Sequence, residues 1–347
     1  GLDGTDGVLV THLTNVRYLT GFTGSAGTLA VTADGAVFVS DGRYRDQSAA
    51  ELAAAGVDVE VEISDTPEAA VVAAVRRLGV ARLGLEAGTV TWAQQQRLAE
   101  QLADGCEVVP TEELVETLRL AKDVGEIARI RAACAIADRA LATVRHRLLD
   151  SPTEEEFGAE LDATMRSLGA DDVSFETIVA AGPNGARPHH RPSDRRIVEG
   201  DLVVIDFGAL VDGYHSDMTR TLMVGSVDEE RRHMFDVVHE AQAAGVAAVA
   251  AGVECAEVDR ACRDVIVAAG MGDAFVHSTG HGVGLDIHEE PRVSARSTAT
   301  LRPGQVVTVE PGVYLTGLGG VRIEDTVVVS DGGCEPLTLA PKEPIVA

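Results

Sequence analysis

The sequence predicts an α/β fold in two domains, the second assembled from two halves with the same order of elements. Three observations carry this expectation. Residues 1–118 alternate strand-like and helix-like stretches. Residues 119–347 run helix, helix, strands, and then repeat that order. Four carboxylates, Asp206, Asp217, Glu310 and Glu324, end or flank apolar runs, one pair in each half. Packing of the halves about a pseudo-two-fold axis would bring the four acids together at the centre.

In the first domain the runs GVLV, TLAVTADGAVFVS, VDVEVEI, RLGLE and CEVVP read as strands, and Asp34-Gly35 between apolar runs signals a hairpin turn. Residues 45–55, 67–78 and 92–103 read as helices between them. Asn15, Arg17, Tyr18, Asp41 and Arg43 form the polar cluster of this domain, and their spacing carries no chemistry by itself. A connecting helix is expected over 112–121, and Lys122-Asp123 opens the next one.

The second domain begins with helical patterns over 123–149 and 153–168. Thr153 with Glu156 matches a capping box, in which side chain and backbone at a helix start satisfy one another. The strand FETIVAAG follows. Helices are expected over 228–251 and 256–269, and VGLDIH, VVTVEPGVY and VRIEDTVVV read as strands.

The stretch DLVVIDFGALVDGYHSDMTR concentrates the chemistry. Leu202 to Ile205 is an unbroken apolar run, which suits a strand buried on both faces. Gly208, Asp212 and Gly213 supply turn residues, so a hairpin would set Asp206 beside Asp217. Two buried carboxylates repel and are costly to desolvate, and a divalent cation between them resolves both problems. Glu310 ends VVTV as Asp206 ends LVVI. His281 sits between Gly280 and Gly282, where its ring is unobstructed. Four carboxylates and one imidazole suit two oxygen-preferring divalent ions, Mn(II) first, with Co(II) or Zn(II) as rivals.

Composition bounds the rest. The 347 residues are 45% hydrophobic and only 3% aromatic, so Ala, Val and Leu must build the core. A net charge of −26 argues against nucleic acid and anionic membranes as partners. No apolar run approaches membrane-spanning length, and a cytoplasmic location is expected. The five cysteines, Cys106, Cys134, Cys255, Cys262 and Cys334, are scattered and expected to be reduced. The sequence starts at Gly1 rather than Met, so further residues are expected before it.

The segments VVIDFGALVDGYHSDMTRT, HSTGHGVGLDIHEEP, TVEPGVY and GVRIEDT resemble the signatures of the M24 metallopeptidases with the pita-bread fold. The resemblance is strongest to the proline-specific branch, Xaa-Pro dipeptidase (prolidase) and aminopeptidase P. NVRYLTGFTGSAG followed by DGRY resembles the creatinase-like N-terminal domain of that branch. The resemblance implies that Asp206, Asp217, His281, Glu310 and Glu324 are the metal ligands. Asp217 and Glu324 would bridge the ions, His281 and Glu310 would hold one, and Asp206 the other.

Further roles follow from the resemblance. His189 matches a substrate-side histidine, with His190 a rival one position away. His288 would contact the substrate carbonyl or shuttle protons, and Glu310 would pass a proton to the leaving nitrogen. Arg292 falls where a dipeptide's terminal carboxylate would be met. Arg322 would hold a ligand carboxylate or bind substrate, and Tyr214 is expected at the pocket wall. The implied activity is hydrolysis of the Xaa-Pro bond of dipeptides or short peptides by a homodimer. Three relatives are alternatives: methionine aminopeptidases, which usually lack such an N-terminal domain; creatinases, which lack this metal set; and non-catalytic pita-bread binding proteins, which typically lose the ligands.

Overall fold

A computed structural model describes residues 4–346 and divides the chain into two units, Gly1–Arg119 and Leu120–Ala347. The first unit contains β1 (Gly7–Val10), α1 (Leu13–Thr20), β2 (Thr28–Thr32), β3 (Ala36–Ser40), α2 (Arg45–Ala55), β4 (Glu60–Ile63), α3 (Pro67–Arg77), β5 (Arg82–Glu86), α4 (Trp92–Leu102), β6 (Glu107–Thr111) and α5 (Leu114–Arg119). Its strands form one sheet in the order β4-β3-β2-β1-β5-β6. Val71, Val75, Leu83 and Leu98 pack on one face, and Val16, Phe22, Phe38 and Leu52 on the other.

Helix α1 is not visible in the sequence pattern. Its buried residues are Asn15, Val16 and Thr20, so two of the three are polar and the apolar periodicity is broken. Asn15 donates to Glu86 at 2.7 Å, and the Thr20 hydroxyl donates to the Val16 carbonyl at 2.6 Å. The expected connecting helix over 112–121 is shorter, Leu114–Arg119.

The second unit begins with α6 (Val124–Val144) and α7 (Glu154–Ser167), followed by β7 (Asp172–Val173), β8 (Ile178–Ala181), β9 (Leu202–Phe207), β10 (Ala209–Val211), β11 (Tyr214–His215) and β12 (Met218–Val224). Then come α8 (Glu229–Ala248), α9 (Cys255–Ala268), β13 (Gly280–Gly282), β14 (Glu289–Val293), β15 (Val306–Val309), β16 (Gly312–Leu315), β17 (Gly319–Arg322), β18 (Asp325–Ser330), β19 (Gly333–Pro336) and β20 (Ile345–Val346). The Thr153–Glu156 capping box is present: Glu156 N donates to Thr153 Oγ1 at 3.1 Å, and Thr153 N to Glu156 Oε2 at 2.8 Å. Helix α6 stops at Val144, and a 3-10 turn continues the chain to Asp150.

Each helix pair covers its own sheet. Helices α6 and α7 pack on the sheet ordered β20-β12-β9-β8. Helices α8 and α9 pack against residues of the sheet ordered β14-β13-β15-β18-β19 and of the β16-β17 pair. Val203 and Ile205 of β9 belong to the first core and Leu202 to the second, which is why the run Leu202 to Ile205 is apolar without a break. The layers are joined where Glu324 N donates to the Thr219 carbonyl at 3.1 Å.

Two sequence expectations are corrected here. The Asp206–Asp217 segment is not one simple hairpin. β9 pairs with β12, while β10 and β11 turn away into a separate sheet ordered β11-β10-β7. Asp212 (φ 48°) and Gly213 (φ 78°) form the two-residue loop of that smaller hairpin, both left-handed as a type I′ turn requires. The run VGLDIH is not a strand: it is a bent connection between β13 and β14, where Gly284 N bonds back to the Asp286 carbonyl at 3.1 Å.

Candidate metal centre

The strand ends set the acidic residues. Asp206 lies in β9 opposite Thr219 of β12. Asp217 immediately precedes β12, Glu310 follows β15, and Glu324 occupies the junction between β17 and β18. His281 is the middle residue of β13. A Cβ at Gly280 would lie 2.0 Å from the Thr308 carbonyl oxygen, and one at Gly282 would lie 2.3 Å from that of Glu290, so glycine alone fits on either side of His281.

The donor atoms converge. Ligand atoms of Asp217, His281 and Glu324 all lie within 4.8 Å of one another. His281 Nε2 is 3.5 Å from Asp217 Oδ2 and 3.4 Å from Glu310 Oε1. His281 Nδ1 lies 3.0 Å from the Gly282 carbonyl, which can only accept, so Nδ1 carries the proton. The Nε2 lone pair therefore faces the carboxylates, as a metal-binding imidazole needs.

Asp206 joins through Arg322. The guanidinium donates to Asp206 Oδ2 at 2.6 Å, to Tyr314 Oη at 2.7 Å and to Thr219 Oγ1 at 3.0 Å. His277 Nδ1 donates to the Ser278 carbonyl at 2.7 Å, which leaves Nε2 to accept from the Tyr314 hydroxyl at 2.9 Å. His277, Tyr314, Arg322 and Asp206 thus form one continuous array. Sequence alone assigns His277 and Tyr314 no role. Their signal, a His four residues before His281 and a Tyr four after Glu310, was present but carried no chemistry until the fold joined them.

These residues fit divalent cations. Asp206 Oδ1 and Glu324 Oε1 are buried with no hydrogen-bond partner. An unpaired buried carboxylate oxygen is costly, and the deficit here is one of positive charge. Burial and neighbouring acids push the carboxyls of Asp217 and Glu324 well above the usual range. Burial raises Glu310 to about 7 and drops His281 to about 3, keeping that ring neutral and able to ligate.

The centre opens into a cleft of about 590 Å³. His189, His190, His288, Arg292 and Arg322 line it with the five donor residues, and Phe175, Ile178 and Ile287 add apolar surface. The rings of His288 and His281 meet edge-on with centroids 4.4 Å apart. His189 is exposed at the cleft, whereas His190 is buried with Nε2 2.8 Å from Glu154 Oε2. Arg292 is half-exposed, with its backbone N–H donating to Glu290 Oε2 at 2.9 Å.

Tyr214 is the correction. It does not line this cleft; its hydroxyl donates to Glu126 Oε1 of α6 at 3.0 Å, and the Arg129 guanidinium lies 5.7 Å from its ring centroid. The break between β9 and β10 carries Tyr214 into the smaller β10–β11 hairpin, against α6 and away from the pocket wall that the resemblance implied.

Residues 128–331 match the model of metallopeptidase family M24, and residues 3–121 match that of the creatinase/prolidase N-terminal domain. A protein described as uncharacterized peptidase YqhT from Bacillus subtilis is 43% identical over 343 residues, 99% of this chain and 96% of its own. The structure titled Xaa-Pro dipeptidase from Bacillus anthracis superposes with a TM-score of 0.96 at 40% identity, covering 99% of this chain and 96% of that one. The structure titled X-Pro aminopeptidase from Thermotoga maritima gives 0.90 at 34% identity, covering 99% and 97%.

Proposed function

Since the chain belongs to metallopeptidase family M24, we propose that its cleft hydrolyses the Xaa-Pro bond as a metal-dependent dipeptidase. The observation that carries this reading is the convergence of Asp217, His281 and Glu324 beside two unpaired carboxylate oxygens, in the same cleft as Arg292. Asp206, Asp217, His281, Glu310 and Glu324 would together hold the divalent ions, His281 through Nε2 and Asp206 through its unpaired Oδ1. An oxygen-rich donor set favours Mn(II) over Co(II) or Zn(II). Ions held there would polarise the scissile carbonyl and bring the pKa of water toward neutrality.

The chain's own groups do the rest. Arg322 holds Asp206 by one oxygen and leaves the other free to ligate. Glu310, one of the donor residues lining the cleft, can take a proton from the attacking water and pass it to the leaving nitrogen. His288 donates toward the carbonyl oxygen as charge develops on it. His189, exposed at the cleft, contacts the substrate. Arg292 meets the terminal carboxylate of a dipeptide, which its planar fork fits with two parallel hydrogen bonds. The array from Asp206 to His277 keeps these groups in register.

A homodimer in the cytoplasm completes this reading. The homodimer is carried by the family resemblance, and the five free cysteines suit a reducing compartment. Among the described residues no helix is long and apolar enough to cross a membrane. The net charge of −26 opposes a nucleic-acid partner.

Aminopeptidase P activity is the second reading, favoured by the half-exposed position of Arg292, which would leave room for a longer chain. One assay tests both: hydrolysis of Xaa-Pro, Xaa-Pro-Yaa and Xaa-Ala with Mn(II) added to chelated protein. Selective cleavage of Xaa-Pro supports the dipeptidase. Preference for Xaa-Pro-Yaa supports the aminopeptidase, and cleavage of neither Pro substrate overturns the proposal.

A further inference from the structure

Outside the metal centre, the most heavily engaged buried carboxylate on the cleft side is Glu154, the first residue of α7. Its side chain is fully buried. Oε1 accepts from Ala181 N at 2.7 Å and Asn184 Nδ2 at 3.0 Å. Oε2 accepts from Ser193 Oγ at 2.6 Å, His190 Nε2 at 2.8 Å and Ser193 N at 3.1 Å. These donors come from the start, the middle and the end of residues 181–193, a stretch that leaves β8 at Ala181 and then has no regular element but one 3-10 turn, Gly182–Ala186. Burial pushes the Glu154 carboxyl up, but the donors of Ser193, Ala181, His190 and Asn184 outweigh it and keep it ionised. An ionised acceptor makes shorter, stronger hydrogen bonds than a neutral one, and its place at a helix N-terminus adds to its stability.

The same stretch carries His189. His190 N donates to the Arg187 carbonyl at 3.2 Å, closing a turn with Pro188 and His189 at its two central positions. Pro188 suits the first of these because its φ is pre-set. The turn is gripped on both sides: Arg322 Nη1 donates to the Pro188 carbonyl at 3.3 Å, and His190 is tied to Glu154. A carboxylate accepts only, so His190 Nε2 carries the proton, and that ring is committed to the anchor. Both histidines line the cleft, and His189, one residue back, is the exposed one of the pair.

We propose that Glu154 is a positioning residue for substrate handling: through Ala181, Asn184, His190 and Ser193 it fixes the loop that holds His189 at the cleft. The inference rests on the reading of His189 as a substrate-side group. Glu154 is not among the residues lining the cleft, so it acts on the reaction only through this loop.

The test is a double-mutant cycle on the Mn(II)-loaded protein with a Xaa-Pro dipeptide. A misplacement of about 1 Å in a substrate-positioning group costs on the order of 100-fold in rate, so Glu154→Gln is expected to lower kcat/KM by about 10–100-fold. Bound Mn(II) per chain should not change. In a His189→Ala background the same substitution should cost less than about twofold, because coupled residues are not additive. Ser193→Ala removes one donor, leaves the carboxylate in place, and should show a smaller loss with the same background dependence. It serves if Glu154→Gln does not fold. Equal losses in both backgrounds, or loss of Mn(II), would overturn the inference and make Glu154 a structural residue. A silent His189→Ala would overturn the role of His189 as well, and so separates the two failures.

Discussion

Arg322 donates to Asp206 Oδ2 at 2.6 Å, and the other oxygen of the same carboxylate is buried with no hydrogen-bond partner. One oxygen is oriented and the other is left for a ligand. This division predicts the effect of Arg322→Met. Removal of an orienting partner typically costs 10–100-fold in metal affinity or activity, so Mn(II) affinity should fall by about that factor. Competition with a fluorescent chelator measures it, and an unchanged affinity would show that Asp206 needs no orienting partner.

His288→Ala should separate catalysis from metal binding. His288 lies against His281 at the cleft but is not one of the five donors. Both ions should stay bound, while loss of an oxyanion-side donor lowers kcat by about 10²–10³. Metal analysis beside steady-state kinetics checks this, and loss of an ion would place His288 in the donor set.

Arg292→Ala should discriminate between substrates. A charge-assisted hydrogen bond contributes about 1.5–3 kcal/mol, or roughly one to two orders of magnitude in binding. Dipeptide hydrolysis should weaken by that factor while Xaa-Pro-Yaa hydrolysis is spared. Equal losses on both would make Arg292 structural, and no loss on either would favour the aminopeptidase.

The metal-free protein should show a pH signature at Glu310. Burial lifts this carboxyl from 4.5 to about 7, partly offset by Arg322. Between those values the folded chain binds more protons at Glu310 than the unfolded chain, so this residue's contribution to stability falls as pH rises. His281 and His277, dropped by burial to about 3 and about 4, act in the opposite direction below pH 6.5. The readout is therefore a difference in Tm: Glu310→Gln minus parent, both chelated, should be near zero at pH 4.5 and positive by pH 7.5. A flat difference would contradict the raised value.

Much of this was legible in the sequence, for identifiable reasons. Asp206 and Glu310 stand at or just past the ends of apolar runs, and His281 stands between two glycines that only close backbone approach requires. Those signals are local, and the fold gathers all of them into one cleft. The resemblance puts Tyr214 at the pocket wall, but the chain leaves β9 for the separate β10–β11 hairpin, and that departure is not visible in the motif. VGLDIH looked like a strand because its bend depends on Gly284 and on the buried Lys122–Glu289 pair, whose partners are distant in sequence. The array from Asp206 through Arg322 and Tyr314 to His277 draws on four separate segments, and no spacing rule joins them. Helix α1 was missed because Asn15 earns its burial from Glu86, 71 residues away.

The measurement that bears most directly on the central claim is a Mn(II) titration of chelated protein, following bound metal and Xaa-Pro dipeptide hydrolysis together. The account predicts no turnover without metal and a plateau of activity at two bound ions per chain. Full turnover in the chelated protein, or a plateau at one ion with no second binding event, would contradict it.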